Sequence, residues 1–396
     1  MSNPILPSHH PRSFVALLLG YGVWGVFWGI WGALLPAVKL EAHASDAILG
    51  ATLLFVAVGA LPAMLFMGRL IDRFGSRVLI VSFFLFAGAV SLLAFVHSPL
   101  LLAIVLLLIG ASSGALDVCL NSASASLEKV TNKKLFNKLT AAFPIAVVFA
   151  SPLAGFAREL HVHLTTIFLT VSIIIIFVAL LNVSAHTHLS KTHQQKETES
   201  VTSARSITKL LILLGVIAAG IHIVEVAIEQ WSAIFIEHGL QGTPAMASFG
   251  PAVYMGMLFV GRFAAQLYEH RCTERQILFI VGLSAALGTA TAAVATSPLI
   301  ALLGFAIAGL GMASGIPAVF SLTGRSVSDS KRGQAISFVT AIAYVGYLIS
   351  PPIMGGLATL ITLKFSWLAL SSFAFIAALS LFLFSKRFVT STKVAR

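Results

Sequence analysis

Three acids in this chain stand inside long apolar runs: Asp117, Glu225 and Glu229. An ionised carboxylate at the centre of a membrane helix costs at least about 2.5–3.5 kcal/mol, so each demands a role. A carboxyl withdrawn from water holds its proton to higher pH, which suits it to carry protons near neutrality. Asp117 shares a helical face with Ser113, Asn121 and Ser124, a polar stripe that fits a water-filled cavity. The same stripe could equally be a hydrogen-bonded packing seam. His222, Glu225 and Glu229 also fall on one face, and a His–Glu pair one turn apart can pass a proton or hold a charged group. Glu229 could instead be a solvated residue at the outer mouth.

Aromatic residues form a second set. Tyr21, Trp24, Trp28 and Trp31 recur at spacings of three, four and three, a stripe able to stack on a ring and donate indole N–H bonds. Packing against another helix, or lipid contact, would produce the same stripe. Trp231 beside Glu229, with Tyr254, Tyr344, Tyr347 and Asn121, completes the expected cavity lining. No metal site is expected, because no CxxC pattern exists and Cys119 and Cys272 lie in unlike surroundings. His186, His188 and His193 read as a solvated linker.

The elements that must position these residues are membrane helices. The chain is 58% hydrophobic and only 10% charged, against roughly 25% charged in soluble domains. Polar and Gly/Pro breaks delimit twelve spans: about 14–38, 47–67, 78–97, 99–124, 138–157, 164–184, 209–235, 245–267, 276–296, 298–320, 334–360 and 365–385. The expected fold is therefore an all-α integral membrane bundle. The net charge of +11 could suggest nucleic acid, but the basic residues lie between the apolar runs. With both termini placed in the cytoplasm, only Lys39, Arg158 and Lys364 of the 25 lysines and arginines fall on the opposite side. Arg262 is read as an anchoring cation closing span 8.

A polar stretch, residues 186–208, divides the chain into bundles 1–185 and 209–396. The bundles echo each other. Gly68-Arg69-Leu70 recurs as Gly261-Arg262-Phe263, and Ser151-Pro152-Leu153-Ala154-Gly155 resembles Ser350-Pro351-Pro352-Ile353-Met354-Gly355-Gly356. Proline and glycine in corresponding helices point to bent helices around a central site. A twofold-repeated, twelve-span chain without a nucleotide-binding loop or cofactor motif has the plan of a secondary transporter.

The turn Gly68-Arg69-Leu70-Ile71-Asp72-Arg73-Phe74-Gly75-Ser76-Arg77 resembles the loop signature of the major facilitator superfamily, with a resemblance that covers all twelve spans. It implies a cytoplasmic latch made by Gly68, Asp72, Arg73, Gly75 and Arg77; the second copy has Ala265 where the acid would stand. Within the superfamily the chain looks most like the fucose permease branch, and more closely its YbjJ-like members. The residues that carry this are Gly114-Ala115-Leu116-Asp117-Val118-Cys119-Leu120-Asn121, Glu229-Gln230-Trp231-Ser232-Ala233-Ile234-Phe235 and Gly333-Gln334-Ala335-Ile336-Ser337. The fucose permease has a proton-coupling carboxylate in span 4, and Asp117 stands at the matching place. Its span-1 acid is replaced here by Gly32 or a neighbour, which separates this chain from fucose itself.

The expected function is proton-coupled symport of a small polar, sugar-like solute across the bacterial inner membrane, by rocking of the two bundles. Proton-antiporting export of amphipathic compounds and a non-transporting ligand sensor are the alternatives. An enzyme is excluded by the lack of any credible nucleophile–base pair or phosphate loop. The expected partners are the solute, protons and the lipid bilayer, with no cofactor and no nucleic acid, and a monomer suffices for the mechanism.

Overall fold

The computed structural model describes residues 10–184, 205–268, 272–328 and 331–384. Most of the linker 186–208, together with both chain ends, lies outside the described residues. Every described element is helical. Runs of about 20 apolar residues leave the backbone no partner but itself, and a helix satisfies every N–H and C=O internally.

The first six-helix unit comprises α1 (His10–Glu41), α2 (Asp46–Phe74), α3 (Arg77–Leu92), α4 (Pro99–Thr131), the short α5 (Phe136–Thr140) running into α6 (Ala142–Glu159), and α7 (Leu164–Ser184). The second comprises α8 (Arg205–Ile234), α9 (Pro244–Tyr268), α10 (Glu274–Ala293), α11 (Pro298–Met312) with α12 (Gly315–Arg325), and α13 (Arg332–Phe384). At 53 residues α13 is too long for one crossing. It is two helices meeting at Thr362, whose φ of 75° and ψ of 156° break the helical path. Among the described residues twelve membrane helices result, and the contacts of the chain divide it into two compact units at residues 198 and 199.

Helix starts follow local chemistry. Ser45 and Ser98 accept the N–H of Ile48 and Leu101 at the heads of α2 and α4. Thr273 and Gln276 form a reciprocal capping box at the head of α10. Gly75 ends α2 with φ of 62°, a left-handed conformation that strains residues bearing a Cβ.

The packing of the two units repeats. α2 lies on α4 as α9 lies on α11, and α1 on α6 as α8 on α13. Lipid is as apolar as leucine, so membrane helices associate by close backbone approach at small residues. At the α2–α4 seam a Cβ on Gly110 would stand 1.9 Å from the Val56 carbonyl oxygen, and one on Gly59 would stand 2.1 Å from that of Leu107. Gly346 on α13 meets the Ala219 carbonyl in the same way, at 2.1 Å. These seams place the polar residues of α1 beside α4 and those of α8 beside α9 and α13.

Candidate functional site: polar clusters within each six-helix unit

In the first unit α1 and α4 run antiparallel with their polar stripes facing. Tyr21 donates its hydroxyl to Asn121 Oδ1 at 2.7 Å, and Asn121 Nδ2 donates to Asp117 Oδ1 at 2.7 Å. Ser124 Oγ lies 3.4 Å from the Tyr21 hydroxyl. Two turns away, Ser113 Oγ accepts the indole N–H of Trp24 at 2.8 Å and of Trp28 at 3.3 Å. Tyr21 opposite Asn121 and Trp28 opposite Ser113 set the register, which brings Trp24 level with Asp117. The Trp24 ring also packs on Phe143, with centroids 4.7 Å apart.

Asp117, Asn121, Trp24 and Trp28 are half-buried, whereas Tyr21 and Ser124 are buried. No lysine or arginine pairs with Asp117 among the described residues. Its carboxylate is oriented by an amide alone.

Both stripes keep the helical spacing read from the sequence, and Ser113 takes both indole N–H bonds, so Trp24 and Trp28 have only their half-buried rings left to offer. Trp31 is separated from the pair. It is 1% exposed, packs on Phe27 at 6.4 Å and leaves its indole N–H without a partner.

In the second unit His222 Nδ1 and Glu225 Oε2 are 2.9 Å apart, as the one-turn spacing predicts. The imidazole meets the Tyr347 ring edge-on at 5.8 Å, and Tyr344 lies beside Tyr347 at 6.4 Å. Glu229, one turn beyond Glu225, is half-buried and feels the charges of Glu225 and Arg262. The same charges, with Glu229 itself, act on the Tyr254 hydroxyl, which is buried and has no hydrogen-bond partner. Trp231 is likewise buried, with its indole N–H unpartnered. Arg262, read from the sequence as an anchoring cation, lies on α9 with its side chain exposed, and its charge acts on Glu229.

At the charged turn, Asp72, Arg73 and Arg77 are exposed, and no ion pair joins them among the described residues. Arg69 and Arg73 lie over Phe66 and Phe74 at 5.8 and 5.2 Å. Gly68 sits half-buried inside α2, one and a half turns before its end. In the second unit a different acid serves: Glu274 at the head of α10 pairs with Arg325 at the end of α12.

Comparison with known proteins agrees with this architecture. The family model for the Major Facilitator Superfamily matches residues 14–298 and 231–395. An uncharacterised MFS-type transporter of Yersinia pestis is 24% identical over 355 residues, 88% of this chain and 90% of that protein. Membrane protein MosC of Rhizobium meliloti is 27% identical over 347 residues, 87% of this chain and 84% of that protein. The crystal structure of a mutant nucleoside transporter NupG superimposes with a TM-score of 0.81 at 12% identity, covering 94% of this chain and 99% of that one. The molecule is an integral membrane secondary transporter and not an enzyme, and its chain belongs to the Major Facilitator Superfamily.

Proposed function

We propose that the protein is a proton-coupled symporter of a small polar solute, built on the plan of the fucose permease branch and inserted in the bacterial inner membrane with both termini in the cytoplasm. The observation that carries this reading is the retention of Asp117, Glu225 and Glu229 within membrane helices, Asp117 bonded to Asn121, Glu225 beside His222, and Glu229 under the charges of Glu225 and Arg262. Charged groups at that depth are costly, and in membrane helices they mark proton and substrate routes. His222 and Glu225 at 2.9 Å can share one proton, and Glu229 and Arg262 bias where it rests.

Trp24, Trp28 and Asn121 line the solute site in the first unit, and Tyr344 and Tyr347 stand beside His222 in the second. Trp31, Trp231 and Tyr254, called as lining from sequence, act from behind as packing. Neutralising an acid removes the cost of its charge and shifts the balance between two orientations of the units, which then rock to expose the solute on alternate sides. The charged turn Gly68–Arg77 holds the cytoplasmic side closed in one orientation. The NupG protein, which shares this fold, is a nucleoside transporter by name, and this supports a solute of that size.

The test is uptake by purified protein in vesicles under an imposed inward proton gradient. Accumulation should collapse with a protonophore and fall at least tenfold in Glu225→Gln. Accumulation that ignores both overturns the coupling.

A further inference from the structure

The first-unit site holds a carboxylate beside two indoles and no cation paired with it, and this bears on what it binds. Each indole has one N–H, and those of Trp24 and Trp28 are spent on Ser113. Tyr21 spends its proton on Asn121, and Asn121 gives one amide proton to Asp117 Oδ1. What remains for a ligand is the other carboxylate oxygen of Asp117, the half-buried indole rings, one amide proton of Asn121 and the hydroxyl proton of Ser113. An organic anion would be repelled by the Asp117 carboxylate, and a neutral polyol would leave that charge uncompensated.

Charge points the same way. The lysines and arginines on α4 and on the helices packed against it stand towards helix ends: Lys129 on α4, Arg12 and Lys39 on α1, Arg69 and Arg73 on α2, Arg77 on α3 and Lys138 on α5. None pairs with Asp117 among the described residues. An ionised carboxylate beside two indoles without a counter-ion is a receptor for a cation, because the carboxylate supplies the opposite charge and the ring faces a negative quadrupole.

We propose that Asp117, Trp24 and Trp28 form an ammonium-binding subsite, so that the transported solute is a hydrophilic amine carrying a positive charge. The assignment rests on the transporter reading and divides its labour. Asp117 anchors the solute's ammonium, and proton coupling falls to His222, Glu225 and Glu229 in the second unit.

The experiment is thermal melting of the purified full-length protein, with intrinsic tryptophan fluorescence as a second readout. Glucosamine, choline and spermidine are the cationic probes. Glucose and inositol are the neutral probes, and glucuronate and gluconate the anionic ones. At least one cation should raise the melting temperature, since a ligand bound only to the folded form stabilises it, and should quench fluorescence. Neutral and anionic probes should do neither. Asp117→Asn should abolish both signals, and Trp24→Leu with Trp28→Leu should weaken binding at least tenfold; the second variant serves if the first does not fold.

Stabilisation by neutral or anionic probes alone, by no cation, or by a cation in Asp117→Asn as in the wild type overturns the proposal. Binding needs no gradient, so cation binding without proton-driven uptake leaves the subsite standing and removes the coupling. Proton-driven uptake of an uncharged solute does the reverse.

Discussion

Tyr21 holds Asn121, and Asn121 in turn holds Asp117, so the phenol acts on the carboxylate through one intermediary. Tyr21→Phe removes a hydrogen bond of about 0.5–1.5 kcal/mol net while keeping the ring. Solute affinity should fall roughly two- to tenfold by that conversion. Protein yield and melting point should change little; an unchanged affinity would show that Asn121 needs no help. The stripes themselves were legible, since Ser113, Asp117, Asn121 and Ser124 follow helical spacing and so do Tyr21, Trp24 and Trp28. Their pairing was not, because which helix faces which is set by tertiary packing. That is why the fate of the indole N–H groups emerged only with Ser113 in place opposite them.

At the level of helices, the glycine seams make a sharper claim than hydropathy could. Gly110→Ala places a methyl against the Val56 carbonyl and must push α2 from α4. Overpacking of this kind typically costs about 1–3 kcal/mol, so the melting temperature in detergent should drop clearly. Gly22→Ala on α1 meets nothing within 4 Å, and the same measurement should find it neutral or slightly stabilising, given alanine's higher helix propensity. Equal effects of the two would contradict the seam. The exposed ion pair between Arg325 and Glu274 is another matter. Arg325→Gln should shift stability by no more than about 1 kcal/mol. Span limits were readable from polar breaks, including the division near Thr362. The electrostatic link between Arg262 and Glu229 was not, because it joins α9 to α8 through tertiary packing.

For the whole molecule, the two native cysteines report orientation without further engineering. Cys272 is a half-buried free thiol just before α10, whereas Cys119 is buried inside α4. If that loop faces the cytoplasm, a membrane-impermeant maleimide should label inside-out vesicles at Cys272 and spare intact cells. Labelling only from outside would invert the topology. The twofold plan and the charge asymmetry were visible because repeated spans and loop arginines need no tertiary information. The central claim, that acids inside the membrane couple solute to proton, is tested most directly by external pH. A solute that raises the melting temperature is added to lightly buffered proteoliposomes holding the protein. The account predicts alkalinisation outside the vesicles that tracks uptake and vanishes in Glu225→Gln. Uptake with no pH change, or an unaltered pH trace in that variant, would contradict it.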